Sequence, residues 1–301
     1  MSNYFEIILD RIKSINPVHY KKVQYNLSLF DATHFNSANS FYQKYERFLN
    51  QSGKDFSFGI DCYIKMIDDV NAETIHFYRT GKYTSTSYDE VYSRVYNNPE
   101  IMEYYMHGLI VSQFIWKQHY ESNKFFTDTI EKFIKSTKRY LEIGVGHGLL
   151  LSESLKRFSP DTVFDAVDIS KTSIEFSKKF IQNSKLNFIL ADVFDYKPTS
   201  NYDFISMGEV LEHVENPQKL LEQVRSLMNP NGILYITTPT NAPAIDHIYL
   251  FEDIEHIESI IRNSGFKILN KKVVSTEDRS IEDIKKYKIS QHFSAFLKIN
   301  L

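Results

Sequence analysis

Tyr140-Leu141-Glu142-Ile143-Gly144-Val145-Gly146-His147-Gly148-Leu149-Leu150 is the most informative stretch of this 301-residue chain. Tyr140, Leu141 and Ile143 make a short apolar run, the pattern of a buried strand. Gly144, Gly146 and Gly148 follow, each separated by one residue. Leu151, Leu155 and Phe158 then recur at helical spacing. A strand, a glycine turn and a helix open the nucleotide-binding unit of an α/β sheet. Gly144 lets the chain leave the strand sharply, and Gly146 offers bare backbone to a ligand. Gly148 lets the helix pack close to the strand. Dinucleotide folds place their glycines as G-x-G-x-x-G under a pyrophosphate. Here the spacing is G-x-G-x-G, and an acid, Glu142, stands two residues before the first glycine. That acid disfavours a pyrophosphate and favours a cationic ligand.

From Lys124 onward, apolar runs of strand length alternate with helical patterns. Strands are expected at 139–143, 162–167, 186–190, 202–206 and 232–237, and helices at 149–158, 171–183, 217–228 and 252–263. Alternation of this kind means right-handed βαβ units and a parallel sheet. Two last strands, 266–274 and 292–299, close the chain as an antiparallel hairpin. Gly265 stops the preceding helix.

The glycine turn resembles the first motif of class I S-adenosylmethionine (SAM)-dependent methyltransferases. Ser206 to Pro217, Ser-Met-Gly-Glu-Val-Leu-Glu-His-Val-Glu-Asn-Pro, is similar to the fourth motif of the ubiquinone- and menaquinone-biosynthesis methyltransferases and related small-molecule enzymes. The resemblance covers about 125–299. It implies the class I methyltransferase fold, a seven-stranded, mostly parallel sheet with helices on both faces, and SAM as cofactor. It implies a methyl acceptor of small size and O- or N-methylation in a biosynthetic pathway.

Candidate cofactor residues follow in chain order. Glu142, Gly144, Val145, Gly146, His147 and Gly148 form the turn. Asp168 lies 20 residues beyond Gly148, where an acid accepts hydrogen bonds from a ribose. Ile169 follows it. By the resemblance, Asp192 takes the adenine amino group and Val193 offers a backbone N–H. Gly208 and Glu209 complete the set after the fourth strand. His213, just past that strand, and His247, on the loop leaving the fifth, are candidate bases for an acceptor proton. Asp246 and Tyr249 stand beside His247 as acceptor contacts or orienting groups. No Cys/His spacing indicates a metal site.

Residues 1–123 match no family by motif and read as helical. Asn16-Pro17 starts one helix, Asp55 to Val70 carries another, and a long one is expected from Pro99 to about Ser122. A linking helix is expected at 125–135. This segment is read as a cap, an acceptor-recognition module or a homodimer contact, and 124–301 as the SAM-binding domain. Tyr105, Trp116 and Tyr120 are its candidates for lining an acceptor pocket.

A net charge of −3 gives no electrostatic footprint for nucleic acid. The single cysteine, Cys62, excludes an internal disulfide. No apolar run approaches the ~20 residues that span a bilayer, so a cytoplasmic protein with no membrane partner is expected. Two other readings stay open: a peptide- or RNA-modifying enzyme using the helical segment for recognition, and transfer of a modified SAM group in place of methyl.

Overall fold

A computed structural model describes residues 3–300. Side chains placed just ahead of several helices start the N-terminal half. Asn16 accepts from the His19 N–H, Asp31 from His34 and Asp55 from Phe58, each satisfying one orphan donor of a first turn. The helices so started are α2 (Pro17–Ser28), α3 (Ala32–Gln51) and α4 (Phe56–Thr80), after α1 (Asn3–Ile15). Gly81 closes α4 in the left-handed conformation, φ 73°. A short α5 (Tyr88–Val91) runs into a π-type turn, Tyr92–Tyr96, and α6 (Pro99–Ser112) and α7 (Lys117–Ile130) follow.

The long helix expected from Pro99 to Ser122 is broken at residues 113–116. The carbonyls there are taken by side chains from distant helices. His34 Nε2 reaches the Phe114 carbonyl at 3.0 Å and Asn26 Nδ2 donates to that of Ile115 at 3.2 Å. The linking helix expected at 125–135 is instead the end of α7 and a 3₁₀ turn, Ile134–Ser136. The division drawn at 123/124 therefore falls inside α7.

The C-terminal half alternates β1 (Arg139–Ile143), α8 (Leu149–Arg157), β2 (Val163–Asp168), α9 (Lys171–Ile181), β3 (Leu186–Leu190) and β4 (Tyr202–Gly208). After a 3₁₀ turn, Leu211–His213, come α10 (Pro217–Ser226), β5 (Met228–Thr240), α11 (Ile254–Asn263), β6 (Phe266–Ser275), α12 (Ile281–Lys286) and β7 (Gln291–Ile299). The seven strands are ordered β3-β2-β1-β4-β5-β7-β6. β7 is antiparallel to both β5 and β6, and the other pairings are parallel. This is the expected class I methyltransferase sheet. β5 is longer than expected at both ends, and α12 was not anticipated.

Alternation along the strands splits the core in two. Tyr140, Phe204, Tyr235 and Phe296 face one side, where Phe126 of α7 and the N-terminal helices pack in a continuous cluster with them. Leu141, Ile205, Leu234 and Leu297 face the other, against Leu220, Leu221 and Val224 of α10 and Ile257 and Ile261 of α11. Strand order reverses between β1 and β4, and their carboxyl ends open a crevice at that switch point. The N-terminal helices roof it. Among the described residues, no helix is long and apolar enough to cross a membrane.

Candidate cofactor and acceptor site

The crevice widens into a cavity of about 1350 Å³. Its floor is the turn after β1. Gly144 has φ 72°, and a Cβ there would meet Val210 Cγ2 at 2.5 Å, so any side chain at this turn is strained and displaces Val210. Gly146 has φ 48° with nothing within 4 Å of a built Cβ. Its open side leaves space for a ligand against bare backbone. Gly148 lies behind the turn as the first residue before α8, packed on Ile181, and does not line the cavity.

Asp168 ends β2 and is 8% exposed. Its Oδ2 accepts from the Gly146 N–H at 3.2 Å and its Oδ1 from the Ser170 N–H at 2.7 Å. Burial pushes its carboxyl up to about 6, against the pull of those two N–H groups. Each oxygen keeps a lone pair for a ligand hydroxyl. Ser170, not Asp168, caps α9.

Glu142 is buried in the sheet. Its Oε2 accepts from Tyr140 Oη and Ser206 Oγ, both at 2.9 Å. Burial raises its carboxyl to about 8, so it gains most from a nearby cation. His147 also lines the cavity, and burial lowers it to about 4. Val145, Ile169, Asp192, Val193 and Gly208 line the same wall. Asp192 Oδ1 also accepts from the Phe194 N–H at 2.9 Å, a local turn bond.

The acceptor side begins at Glu209, whose φ of 53° marks strained backbone at the end of β4. Its Oε1 lies 3.6 Å from His292 Nε2. Burial opposes its ionisation most strongly, but His292, the Thr237 hydroxyl, His119 and His247 together hold the carboxyl below its ordinary range. His213 and His247 face each other, ring centroids 4.9 Å apart. His213 Nδ1 is 2.8 Å from the Asp246 carbonyl, and His247 Nδ1 is 2.5 Å from that of Ala242. Burial, and then the neighbouring His213, lower His247 to about 4. Tyr105 Oη reaches Asp246 Oδ1 at 3.4 Å.

Two acceptor candidates lie elsewhere. Tyr120 donates to Asp31 Oδ2 at 3.0 Å and packs on Phe30, because the break after α6 turns that face of α7 toward α3. Tyr249 packs on Phe251, with its hydroxyl 3.2 Å from His256 Nε2. Tyr105, Trp116 and Asp246 do line the cavity.

Several residues there had no sequence signal. Tyr88 Oη is buried without a hydrogen-bond partner, in the field of Asp192 and Asp168. Tyr96 Oη lies 3.1 Å from His213 Nδ1. Arg94 Nη2 donates to the Ile245 carbonyl at 2.6 Å, and Tyr83 Oη accepts from the Ala242 N–H at 2.9 Å. Arg94 and Tyr83 tie the helical roof to the loop carrying His247, and Tyr96 ties it to the turn after β4. Glu212 is the largest omission. It is fully buried, and although no sequence spacing indicated metal ligands, one ligand atom each of Glu212, His213 and His247 lies within 4.8 Å of the others.

A seven-stranded sheet of this order, a glycine turn that leaves backbone bare to the crevice and a carboxylate at the end of the second strand define a class I SAM-dependent methyltransferase. The chain belongs to the family described as "Methyltransferase domain", whose model matches residues 116–271, just over half of it. It is 28% identical over 192 residues to malonyl-[acyl-carrier protein] O-methyltransferase 1 of Ilyobacter polytropus, covering 58% of this chain and 67% of that one. It is 36% identical over 108 residues to the mitochondrial ubiquinone biosynthesis O-methyltransferase of Schizosaccharomyces pombe, covering 34% of this chain and only 38% of that relative. In fold it is similar to the mitomycin 7-O-methyltransferase MmcR, with a TM-score of 0.53 at 12% identity, over 77% of this chain and 67% of that one. PigF with S-adenosylhomocysteine (SAH) gives 0.51 at 14%, over 76% and 69%.

The cofactor of this family is SAM, and the crevice fits it. The turn is free of side chains where a ligand must touch backbone, and Asp168 offers acceptors to a diol. Buried Glu142 is stabilised by a cation, and the unpartnered Tyr88 hydroxyl awaits a polar group.

Proposed function

We propose that this chain methylates a hydroxyl group of a small acceptor held in the cavity between the sheet and the helical roof. The observation that carries this reading is the continuity of one cavity. It runs from the glycine turn and Asp168, past Glu209, to His213 and His247 beneath Tyr96, Tyr105 and Trp116.

SAM supplies an electrophilic methyl on a sulfonium that is already a good leaving group. What remains for the protein is to bind, align and deprotonate. Asp168, Asp192 and the backbone of Val193 hold the nucleoside, and the turn from Gly144 to His147 lies against the amino-acid part. The aromatic roof excludes water and holds the acceptor at the ~3–3.5 Å required for in-line attack. His213 and His247, at the far side of Glu209, are the groups that take the acceptor proton. Residues 1–123 serve as the acceptor-selecting wall. The roof closes over the strand ends on this face, which suits a small acceptor better than an RNA or peptide.

Calorimetry with SAH, followed by incubation with SAM and a panel of hydroxylated aromatics, hydroxy acids and acyl-carrier thioesters, tests the reading. A product heavier by one methylene on a free acceptor supports it. Methylation of the carrier-bound acid alone replaces the free acceptor with a tethered one. Absence of SAH binding removes it.

A further inference from the structure

We propose that the cavity is a channel with two portals at opposite edges of the sheet, and that an uncharged, elongated acceptor enters by the far one while SAM uses the near one. The proposal deepens the methyl-transfer reading and rests on it for calling the ligand an acceptor, but not for the channel itself.

The first observation is how much of the sheet the cavity covers. Residues at the same end of all seven strands line it, from Asp192 after β3 to Thr276 after β6. Six inter-strand intervals of ~4.8 Å make that span about 29 Å. The glycine turn, Asp168 and Asp192 belong to β1, β2 and β3. From Glu209 on β4 to the end of β6 the cavity runs on for about 14 Å, beyond the cofactor half.

The second observation is that the exposed residues of the wall fall into two groups. Asp89 of α5, Phe194 after β3, and Glu215 and Lys219 at the start of α10 rim the near edge. The Tyr88 N–H fastens α5 there, donating to Glu215 Oε1 at 2.7 Å. Val18 and Lys22 of α2, Asn71 and Tyr78 of α4, and Glu277 after β6 rim the far edge. Val18 is 82% and Tyr78 63% exposed, although both line the cavity. The far rim is braced. Tyr25 Oη and Lys117 Nζ both donate to Asp278, at 2.8 and 2.5 Å, and Lys288 Nζ lies 5.8 Å from the ring centre of Phe77.

The third observation is the chemistry between the rims. α4 lines the channel along one stripe, from Met66 through Ile67, Val70, Thr74 and Phe77 to Tyr78, about 18 Å of helix. α6 faces it with Met102, Tyr105, Met106 and Leu109. Among the described residues, neither helix turns a charged side chain to the cavity, although Lys65 and Glu100 pair on their outer surface. The polar groups of this wall are already engaged. Trp116 Nε1 donates to Tyr63 Oη at 2.8 Å, leaving the Tyr63 proton for His19 Nε2 at 2.6 Å. Burial lowers His19 to about 4, so it is neutral. Thr74 Oγ1 donates to the Val70 carbonyl at 2.6 Å. A charge passing here would lose water and gain no partner. An acceptor long enough to reach the far rim also stoppers it, which completes the exclusion of water from the reacting atoms. Neither ligand then has to leave before the other.

Trp116 is the single tryptophan of the chain and lines the channel. Its fluorescence quenching by acrylamide, a small neutral probe, is read on the full chain saturated with SAH, which shuts the near portal. The expected result is efficient quenching by acrylamide and quenching by iodide weaker by about threefold or more. Val70→Phe/Thr74→Phe narrows the far portal and should lower the acrylamide constant by about threefold or more, with SAH affinity within twofold. Circular dichroism melts check that the variant folds, and Val70→Phe alone serves if it does not. SAH that shields Trp116 from acrylamide in the parent overturns the proposal. So does a narrowed variant quenched like the parent, or iodide as effective as acrylamide. Failure to bind SAH sinks the methyl-transfer reading alone, because acrylamide on ligand-free parent and variant still compares the far portal.

Discussion

The backbone N–H of Gly146 donates to Oδ2 of Asp168 across 3.2 Å. One carboxylate at the end of β2 therefore shapes the glycine turn from β1, and any ligand that bonds to Asp168 also meets the open face of Gly146. The residue is at once a strut of the floor and a candidate grip on the ribose. Asp168→Asn loses the charge and, because an amide nitrogen cannot accept, one of the two backbone bonds. It should weaken SAH by about tenfold, the effect of about 1.4 kcal/mol. Isothermal calorimetry giving an unchanged Kd would remove the ribose assignment.

The same carboxyl predicts how binding depends on pH. Hydroxyl donors favour the ionised form, and burial has raised Asp168 to about 6. Affinity for SAH should therefore be flat near pH 7 and fall as pH drops through 6, by at most tenfold per pH unit. Asp168→Asn should flatten that limb of the profile. A wild-type Kd independent of pH from 5 to 7 contradicts this.

Gly144 and Gly146 separate folding from binding. Alanine at Gly144 meets Val210 at 2.5 Å in backbone with φ 72°, so Gly144→Ala should lower the thermal midpoint. The left-handed conformation alone costs about 1–2 kcal/mol. Gly146→Ala has no neighbour to strike and pays only for its φ, yet its methyl enters the ligand space. It should remain folded and lose SAH binding. Circular dichroism melts and calorimetry on both variants check the contrast, and equal losses of SAH affinity at equal stability would remove it.

The sheet was legible because most of its strands are short apolar runs bounded by turn residues, and α9, α10 and α11 begin at a capping side chain or proline. The glycine turn and Asp168 were legible because their spacing follows from the βαβ unit itself, and Asp192 only through the resemblance to a family. The helical half was read less well, for a reason the break after α6 makes plain. Its carbonyls are captured by His34 and Asn26, 80 and 89 residues away in sequence, and no local window contains those partners. The same limit hid Tyr88, Arg94 and Tyr96, which enter the site only when the roof folds over it. Glu212 was quoted within a motif and passed over, because its importance lies in an unpaired oxygen that only the folded loop after β5 reveals.

Arg94 tests whether the roof acts on the acceptor side alone. Its guanidinium joins Ser85 and the Ile245 carbonyl, two residues before His247 and far along the chain from the glycine turn. Arg94→Ala should free the loop, raise KM for the acceptor several-fold and leave SAH affinity within twofold. A matched fall in SAH affinity would instead make the roof part of the cofactor pocket.

Glu142 should leave its mark on stability as a function of pH. Its folded value of about 8 lies above the ordinary 4.5, so the stability associated with it is complete below pH 4.5 and is lost as pH rises through 8. Buried histidines held low, such as His147 and His247 at about 4, act in the opposite sense. Their contribution is complete above about 6.5 and lost as pH falls toward 4, so they are silent between pH 7 and 8. In that window Glu142 adds a downward slope of at most about 1.4 kcal/mol per pH unit to the ligand-free protein. Glu142→Gln keeps the hydrogen bonds of a neutral acid and should remove that component. The difference between the two urea-unfolding curves at pH 7 and pH 8 isolates it from every other titrating group. SAM, by placing positive charge near Glu142, should shrink the same slope in the parent protein. Parallel curves for parent and variant would mean that Glu142 is ionised at neutral pH without the cofactor.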